Sequence, residues 1–136
     1  MSNTNAIDLE KCPIHIPDGV GQPTVPIPGS GYDGPSFEAY VEAHCTNDAP
    51  GRLMMIETTP GDWPMWECHT DGDEIVFILE GAGDFIQDID RTEVRTPIAA
   101  GVTLINRKDV WHTADVTSPM RAIYLTPCPG TEHKSH

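Results

Sequence analysis

The sequence predicts an all-β protein that folds as one sandwich or barrel. Short runs of β-forming residues recur along most of the chain, and clusters of turn residues separate them. The 136 residues include 13 prolines and 12 glycines, which suit many short strands and tight turns better than long helices. Turn signals at such regular spacing are typical of β sandwiches and barrels. A chain of this length forms one domain with a core of its own.

The chain divides into an arm and a β domain. Residues 1–36 are rich in proline and glycine and lack sustained hydrophobic periodicity, so we expect an extended N-terminal arm that lies on the barrel or on a neighbouring subunit. Residues 37–136 are expected to form the barrel, with a loose polar tail from about residue 130. The predicted strands are Phe37–His44, Arg52–Thr58, Met65–His69, Glu74–Leu79, Asp84–Ile89, Val102–Asn106, Trp111–Val116 and Arg121–Thr126.

The first of these segments has a competing interpretation. Within Phe37–His44, four residues (Phe37, Tyr40, Val41 and His44) also fall at helical spacing. The segment is short and rich in β-forming residues, so we expect a strand.

The charge of the chain limits its partners. Eight basic residues against 21 acidic ones give a net charge of −13, which repels nucleic acid and anionic membranes. We therefore expect neither partner, and a small molecule as substrate. The same charge repels anionic substrates at long range, although a metal ion or a local arginine can override that. No run approaches the ~18 apolar residues of a membrane span.

The four cysteines are Cys12, Cys45, Cys68 and Cys128, and no two stand at C-x-x-C spacing, which excludes a zinc ribbon. The N-terminal residues show neither the basic nor the apolar segment of a secretory leader. We therefore expect reduced thiols and a cytoplasmic protein. Cys68 alternates with its neighbours, so we expect it to pack on the opposite face as a small hydrophobe without a disulfide.

Four potential ligands are placed to converge. Glu67 and His69 stand two residues apart on one predicted strand, so both side chains point to the same face. A Thr-Asp-Gly-Asp turn follows and can fold Glu74 back beside them, and His112 comes from a distant strand. Buried carboxylates in a barrel need a cation as partner. The pattern predicts a metal site.

At these positions the chain resembles the cupin superfamily. The first cupin motif is G-x5-H-x-H-x3–4-E-x6-G, and this chain has Gly61, Glu67, His69, Glu74 and Gly81 in that register. The second motif is G-x5-P-x-G-x2-H-x3-N, and here Gly101 and His112 match. The resemblance covers roughly residues 51–127, and both motifs occur in order.

The resemblance implies a fold and a ligand set. The fold would be a double-stranded β-helix, the cupin or jelly-roll barrel, usually as a homodimer. One divalent metal ion would be bound by His69, Glu74 and His112. Glu67 replaces the first histidine of the family, which alters the ligand set. Three further departures (Arg107, Asp109 and Val116 for proline, glycine and asparagine) fall on turn and strand positions.

The ligand set predicts a metal-dependent enzyme that acts on a small molecule. Two histidines and one carboxylate form the triad of non-haem iron oxygenases, so Fe(II) and an oxygenase are favoured, with Mn(II), Zn(II) or Ni(II) as other metals. Glu67 is either a further ligand or a catalytic base. Two alternatives remain: a metal-dependent isomerase, cyclase or lyase that uses Glu67 as base, and a non-catalytic metabolite-binding cupin.

Strand alternation and residue chemistry also suggest the substrate-binding residues. The candidates are Met65, Val76 and Ile78 as an apolar wall, with Tyr40, Arg52, Arg121 and Tyr124 as polar anchors. Either arginine would suit a carboxylate-bearing substrate. Three apolar residues predicted to face outward, Trp66, Phe77 and Trp111, favour a homodimer.

Overall fold

A computed structural model describes residues 6–27, 34–45, 50–128 and 130–136. In chain order the elements are β1 (Ile14–Pro17), β2 (Val25–Pro26), α1 (Gly34–His44), β3 (Gly51–Thr59), β4 (Met65–His69), β5 (Glu74–Ile89), β6 (Thr92–Pro97), β7 (Thr103–Asn106), β8 (His112–Cys128) and β9 (Thr131–Ser135). The strands pair antiparallel throughout, which confirms the all-β fold class.

Two long strands, β5 and β8, are the frame of the barrel. They pair from Ile75 opposite Leu125 to Gln87 opposite His112, with register shifts between Ile78 and Gly83. Gly81 and Gly83 have φ near +130°, and a Cβ on Gly83 would lie only 2.0 Å from the carbonyl oxygen of Asp115. Only glycine fits here, so the strand can bend and wrap around the core.

The remaining strands extend this frame on both sides. β3 pairs with β8 over its whole length, β1 pairs with β3, and β2 pairs with β1. β6 and β7 pair with β5, and β4 lies between β8 and β9. The core lies on the inner face and includes Phe85, Met55, Ile78, Val76 and Met120, each at most 1% exposed. Successive side chains of a strand point to opposite faces, so every second residue of these strands is directed into the core.

Three predictions about the strands are wrong. Phe37–His44 is part of helix α1, because Pro35 suits a first helical turn and the sequence Glu-Ala-Tyr-Val-Glu-Ala is rich in helix formers. The pair Glu74–Leu79 and Asp84–Ile89 forms one strand, and so does the pair Trp111–Val116 and Arg121–Thr126. In both cases the predicted turn is a bulge or bend within a continuous ladder.

The expected loose tail is also wrong. β9 pairs with β4 from Met65 opposite Ser135 to His69 opposite Thr131. Its residues are polar and exposed, so their pairing depends on backbone hydrogen bonds to β4 and not on an apolar pattern. Within the predicted arm, β1 pairs with β3 over four residue pairs.

The expectation of reduced thiols is wrong for two cysteines. Cys45 and Cys128 form a disulfide with a Cα–Cα distance of 5.0 Å, which ties the residue after α1 to the end of β8. Cys68 is free and 3% exposed, as predicted, and Cys12 is also free. The cytoplasmic location stays a prediction, although disulfides are rare in that compartment. Among the described residues no helix is long and apolar enough to cross a membrane.

Candidate metal centre

Four ligand-type side chains meet inside the barrel. Glu67 and His69 come from β4, Glu74 from the first residue of β5, and His112 from the first residue of β8, where it pairs with Glu67. One ligand atom from each lies within 4.8 Å of the other three. His69, Glu74 and His112 are at most 1% exposed. The convergence predicted from the sequence is confirmed.

The turn between β4 and β5 is held at both ends. The backbone amide and hydroxyl of Thr70 donate to the carbonyl oxygen of Gly130, at 2.8 and 2.9 Å. The carboxylate of Asp73 accepts from the backbone amide of Lys108 at 2.8 Å and from the guanidinium of Arg107 at 2.9 Å. These contacts fix the turn, and the turn places Glu74 beside His69.

Both histidine rings are oriented by their outer nitrogen. His112 Nδ1 donates to the carbonyl oxygen of Val110 at 3.1 Å, so in the neutral ring Nε2 carries the lone pair that faces the cluster. His69 Nδ1 is hydrogen-bonded to Thr131 Oγ1 at 3.0 Å. Neither Nε2 atom has a hydrogen-bond partner in the part of the chain that the structure describes, although both are buried. Such orientation of imidazole by an outer partner is typical of metal ligands.

Glu74 lies at the centre of the cluster. Its Oε2 is 3.2 Å from Nε2 of His69, and its Oε1 is 3.3 Å from Nε2 of His112. Asn106 Nδ2 donates to Oε1 at 3.0 Å and Thr126 Oγ1 donates to Oε2 at 2.6 Å. These donors orient the carboxylate and leave acceptor capacity on both oxygens.

An outer pair of amides supports this arrangement. Gln87 Nε2 donates to Oδ1 of Asn106 at 2.8 Å and to the carbonyl oxygen of Ile105 at 3.0 Å. The Asn106 side chain is therefore fixed at both ends, with its amide group directed at Glu74.

The buried carboxylates and imidazoles of the cluster shift each other's pKa, and the carboxylates favour a positive charge beside them. Burial alone would raise the pKa of Glu74, but the imidazoles of His112 and His69 outweigh it and lower that pKa. Burial alone would lower the pKa of His69, but the carboxylates of Glu74 and Glu67 outweigh it and raise that pKa. A divalent ion would also compensate the two carboxylates, and the neutral Nε2 atoms of both histidines could bind it.

Glu67 differs from the other three residues. Its side chain is 30% exposed, its Oε2 lies 3.8 Å from Nε2 of His112, and its Oε1 is 3.2 Å from Nε2 of His133. Glu67 thus contacts the cluster on one side and β9 on the other. This position suits a weak fourth ligand or a base beside the metal.

Aromatic rings close the site on the core side. Phe85 is stacked on the ring of His112, with a centroid distance of 5.9 Å and an interplanar angle of 18°. Trp63 contacts both Phe85 and His112 edge-on. These rings exclude water from one side of the cluster, so access must come from another.

A cavity of about 390 Å³ adjoins the cluster on the side of α1 and β9. Its lining residues are Tyr40, Val41, Leu53, Glu67, His69, Thr126, Pro127, Cys128, Gly130, Thr131 and His133. Two ligand candidates, Glu67 and His69, therefore face the cavity, and a small molecule in it would lie against the cluster.

Of the seven predicted substrate-binding residues, only Tyr40 is among the residues that line this cavity. Val76, Ile78 and Tyr124 lie in the core, and Met65, the first residue of β4, is 42% exposed. Arg52 lies 3.9 Å from Asp18, and Arg121 forms an ion pair with Glu10. The two arginines are thus engaged by acidic residues of the N-terminal arm.

Several residues at the site lie outside the sequence prediction. They are Gln87, Asn106, Thr126, Thr131 and His133, together with the apolar wall Val41, Leu53 and Pro127. For Asn106 and Gln87 a signal was present: each falls in phase with buried apolar residues of its own strand, Leu104 and Phe85. A polar residue at an inward position needs a partner inside.

No protein-family model and no curated protein sequence matches the chain. Among solved structures it is similar to hydroxypropylphosphonic acid epoxidase from S. wedmorenis, with a TM-score of 0.41 and 16% identity over 57% of this chain and 42% of that one. For the structure of FeII HppE the TM-score is 0.41 and the identity 15%, over 57% of this chain and 42% of that one. For ectoine synthase from P. lautus the TM-score is 0.42 and the identity 17%, over 63% of this chain and 64% of that one. The chain covers less than two thirds of each of these proteins.

The antiparallel barrel, with an inward cluster at the positions of both motifs, agrees with the double-stranded β-helix fold expected from the sequence. The cluster itself combines two carboxylates and two histidines, those of Glu67, Glu74, His69 and His112.

Proposed function

We propose that this chain binds one divalent metal ion through His69, Glu74 and His112, with Glu67 beside it, and uses the ion to transform a small molecule in the adjoining cavity. One observation carries the proposal: the two buried Nε2 atoms have no hydrogen-bond partner in the described ranges and face the two oxygens of Glu74. Buried polar atoms without partners are rare, and a cation accounts for both.

The donor set supports Fe(II) as the favoured metal, with Mn(II), Zn(II) or Ni(II) as alternatives. Two imidazoles and one carboxylate leave coordination positions open, which is the arrangement of non-haem iron oxygenases. Bound Fe(II) would supply the redox chemistry for which such enzymes use dioxygen. We therefore rank an oxygenase first.

The residues around the proposed ligands have different roles. Asn106 and Thr126 hold Glu74 in position, and Thr131 and the carbonyl of Val110 orient the two rings. Phe85 and Trp63 exclude water behind His112. These contacts preorganise the site before a substrate enters.

A second candidate function uses Glu67 as a base in an isomerase, cyclase or lyase reaction. It is favoured by the position of Glu67, which lines the cavity, is partly exposed and is hydrogen-bonded to His133. A carboxylate at the cavity wall can accept a proton from a molecule held there.

Metal analysis followed by activity assays tests the proposal. Protein purified without chelator should contain close to one equivalent of metal, or take up Fe(II) under anaerobic conditions. An oxygenase then consumes dioxygen with a substrate from a panel of small molecules, whereas the second candidate converts its substrate without dioxygen. Metal binding without any turnover would leave a metabolite-binding cupin. Failure to bind any of the four metals would refute the proposal.

The variant Glu67→Gln separates the roles of Glu67, with Glu132→Gln on the exposed face of β9 as control. If Glu67 is a base, Gln abolishes turnover and leaves metal affinity within about ten-fold of the original. If Glu67 is a ligand, metal affinity falls together with turnover.

A further inference from the structure

We infer that the cavity beside the metal centre takes an uncharged, largely apolar small molecule and discriminates against carboxylates and other anions. The inference rests on the proposed function in one respect, namely that the substrate occupies this cavity. It is argued from two features, the chemistry of the residues that line the cavity and the net charge of the metal centre.

The wall of the cavity is mostly apolar. Tyr40 and Val41 of α1, Leu53 of β3 and Pro127 of β8 contribute hydrocarbon surface, and Cys128 adds its disulfide sulfur. The volume of about 390 Å³ lies at the lower end of small-molecule pockets, which span roughly 300–1,000 Å³. Such a space suits a compact ligand that buries most of its surface against hydrocarbon.

The basic side chains that line the cavity are the histidines His69 and His133, and these are hydrogen-bonded to Thr131 and Glu67. No lysine or arginine lies among the residues known to line it, and the one acidic lining residue is Glu67. Arg52 and Arg121, which would suit a carboxylate, do not line it and are engaged by Asp18 and Glu10. An anion here would lose its hydration and face a like charge, which is costly without a partner.

A bound metal ion does not make the cavity favourable for an anion. The two positive charges of a divalent ion are matched by the carboxylates of Glu67 and Glu74, and ligating imidazoles are neutral. The loaded centre is therefore neutral overall. With an uncharged residue at position 67, the same centre would keep one positive charge and attract anions. Glu67 is thus a specificity-determining residue for ligand charge.

Two probes with the same aromatic skeleton test the inference: 2-phenylethanol, which is neutral, and phenylacetate, which is an anion. Calorimetric titration is done on metal-loaded protein and on protein stripped with chelator. We expect the alcohol to bind at least about ten-fold more tightly in both forms. Equal or tighter binding of phenylacetate in either form would overturn the inference, as would binding of neither probe. The amine 2-phenylethylamine, if it bound loaded protein more tightly than the alcohol, would also overturn it.

Two variants show whether charge at the cavity sets this preference. Val41→Lys adds a cation to the wall and should bring phenylacetate to at least the affinity of the alcohol, whereas Val94→Lys on the exposed face of β6 should not. Glu67→Gln should raise phenylacetate affinity several-fold in loaded protein and much less in stripped protein, with Glu132→Gln as control. Circular dichroism verifies that each variant is folded. Unchanged preference in both Val41→Lys and Glu67→Gln would refute the inference.

Failure of the inference and failure of the proposed function give different results. A chain that binds no metal but still prefers the alcohol in stripped form supports the cavity inference and refutes the metal-dependent function. A chain that binds metal and turns over an anionic substrate retains the function and loses the inference.

Discussion

Nε2 of His112 lies 3.3 Å from Oε1 of Glu74, and the other nitrogen of the same ring donates to the carbonyl oxygen of Val110. In the neutral ring the nitrogen that faces Glu74 therefore carries the lone pair, and a lone pair and a carboxylate oxygen repel each other. A cation held by both groups would turn this repulsion into attraction. The hydrogen bond to Val110 thus favours the tautomer that a metal ion would require.

Replacement of His112 by alanine should abolish tight metal binding. The loss should exceed about 100-fold in affinity, because removal of an outer partner alone costs about 10–100-fold. Calorimetric titration with Zn(II) or Mn(II) gives the affinity, and thermal unfolding with and without metal gives a second readout. The control is His136→Ala, since that ring contacts Asp115 at the surface. If metal still raised the unfolding temperature of His112→Ala as much as that of the original chain, the ion would bind elsewhere.

Asn106→Ala should weaken both the fold and the metal site. It removes the donor to Glu74 and the acceptor of Gln87, so two buried polar groups lose a partner. We expect a loss of about 1–3 kcal/mol in the free energy of unfolding and about 10–100-fold in metal affinity. Urea denaturation and metal titration measure the two effects.

Thr103→Ala, on the exposed face of the same strand, serves as the matched control and should change neither quantity appreciably. If Asn106→Ala lowers stability but leaves metal affinity as it was, Asn106 supports the core and not the ligand.

The sequence predicts the convergence of Glu67, His69 and Glu74 well because their geometry is local. Met65–His69 is bounded by turn residues on both sides, and its alternation alone places Glu67 and His69 on one face. The Asp-Gly-Asp turn then limits where Glu74 can go. His112 is distant in the chain, and its place followed from the second cupin motif.

Features that depend on distant contacts were missed. β9 has no apolar pattern and exists because β4 offers an unpaired edge. Cys45 and Cys128 stand 83 residues apart and meet only when α1 packs against β8. The substrate anchors failed to line the cavity for a similar reason: residue type suggested Arg52 and Arg121, but acidic residues of the N-terminal arm engage both.

The disulfide should contribute measurably to stability. Cys45→Ser opens a link across an 83-residue separation, for which loop entropy gives roughly 4.5 kcal/mol. Guanidinium denaturation of Cys45→Ser, compared with Cys12→Ser, measures the difference. Thiol titration of the denatured, unreduced chain should detect two free thiols, those of Cys12 and Cys68. Four free thiols in freshly purified protein would show that the bond does not form under the conditions of expression.

The outer face of the barrel should mediate the homodimer expected from the sequence. The face consists of two rows of paired residues, Met54–Leu125–Ile75–Ile105 and Ile56–Ile123–Phe77–Thr103. Ile75, Phe77 and Ile105 are 37%, 39% and 45% exposed. A contiguous apolar face of this kind marks an interaction site. Trp66 and Trp111, which were expected to join it, instead contact Lys134 of β9.

Phe77→Lys should therefore convert the expected dimer to a monomer. A charge in the middle of this face loses its hydration on association and meets its own copy across a two-fold interface, so affinity should fall by at least about 100-fold, or roughly 3 kcal/mol. Sedimentation velocity over a concentration series measures the change. Ile89→Lys, at a similarly exposed position near the end of β5, is the control and should remain dimeric. A wild-type chain that sediments as a monomer at all concentrations, or a Phe77→Lys dimer as tight as the original, would exclude this face as the interface.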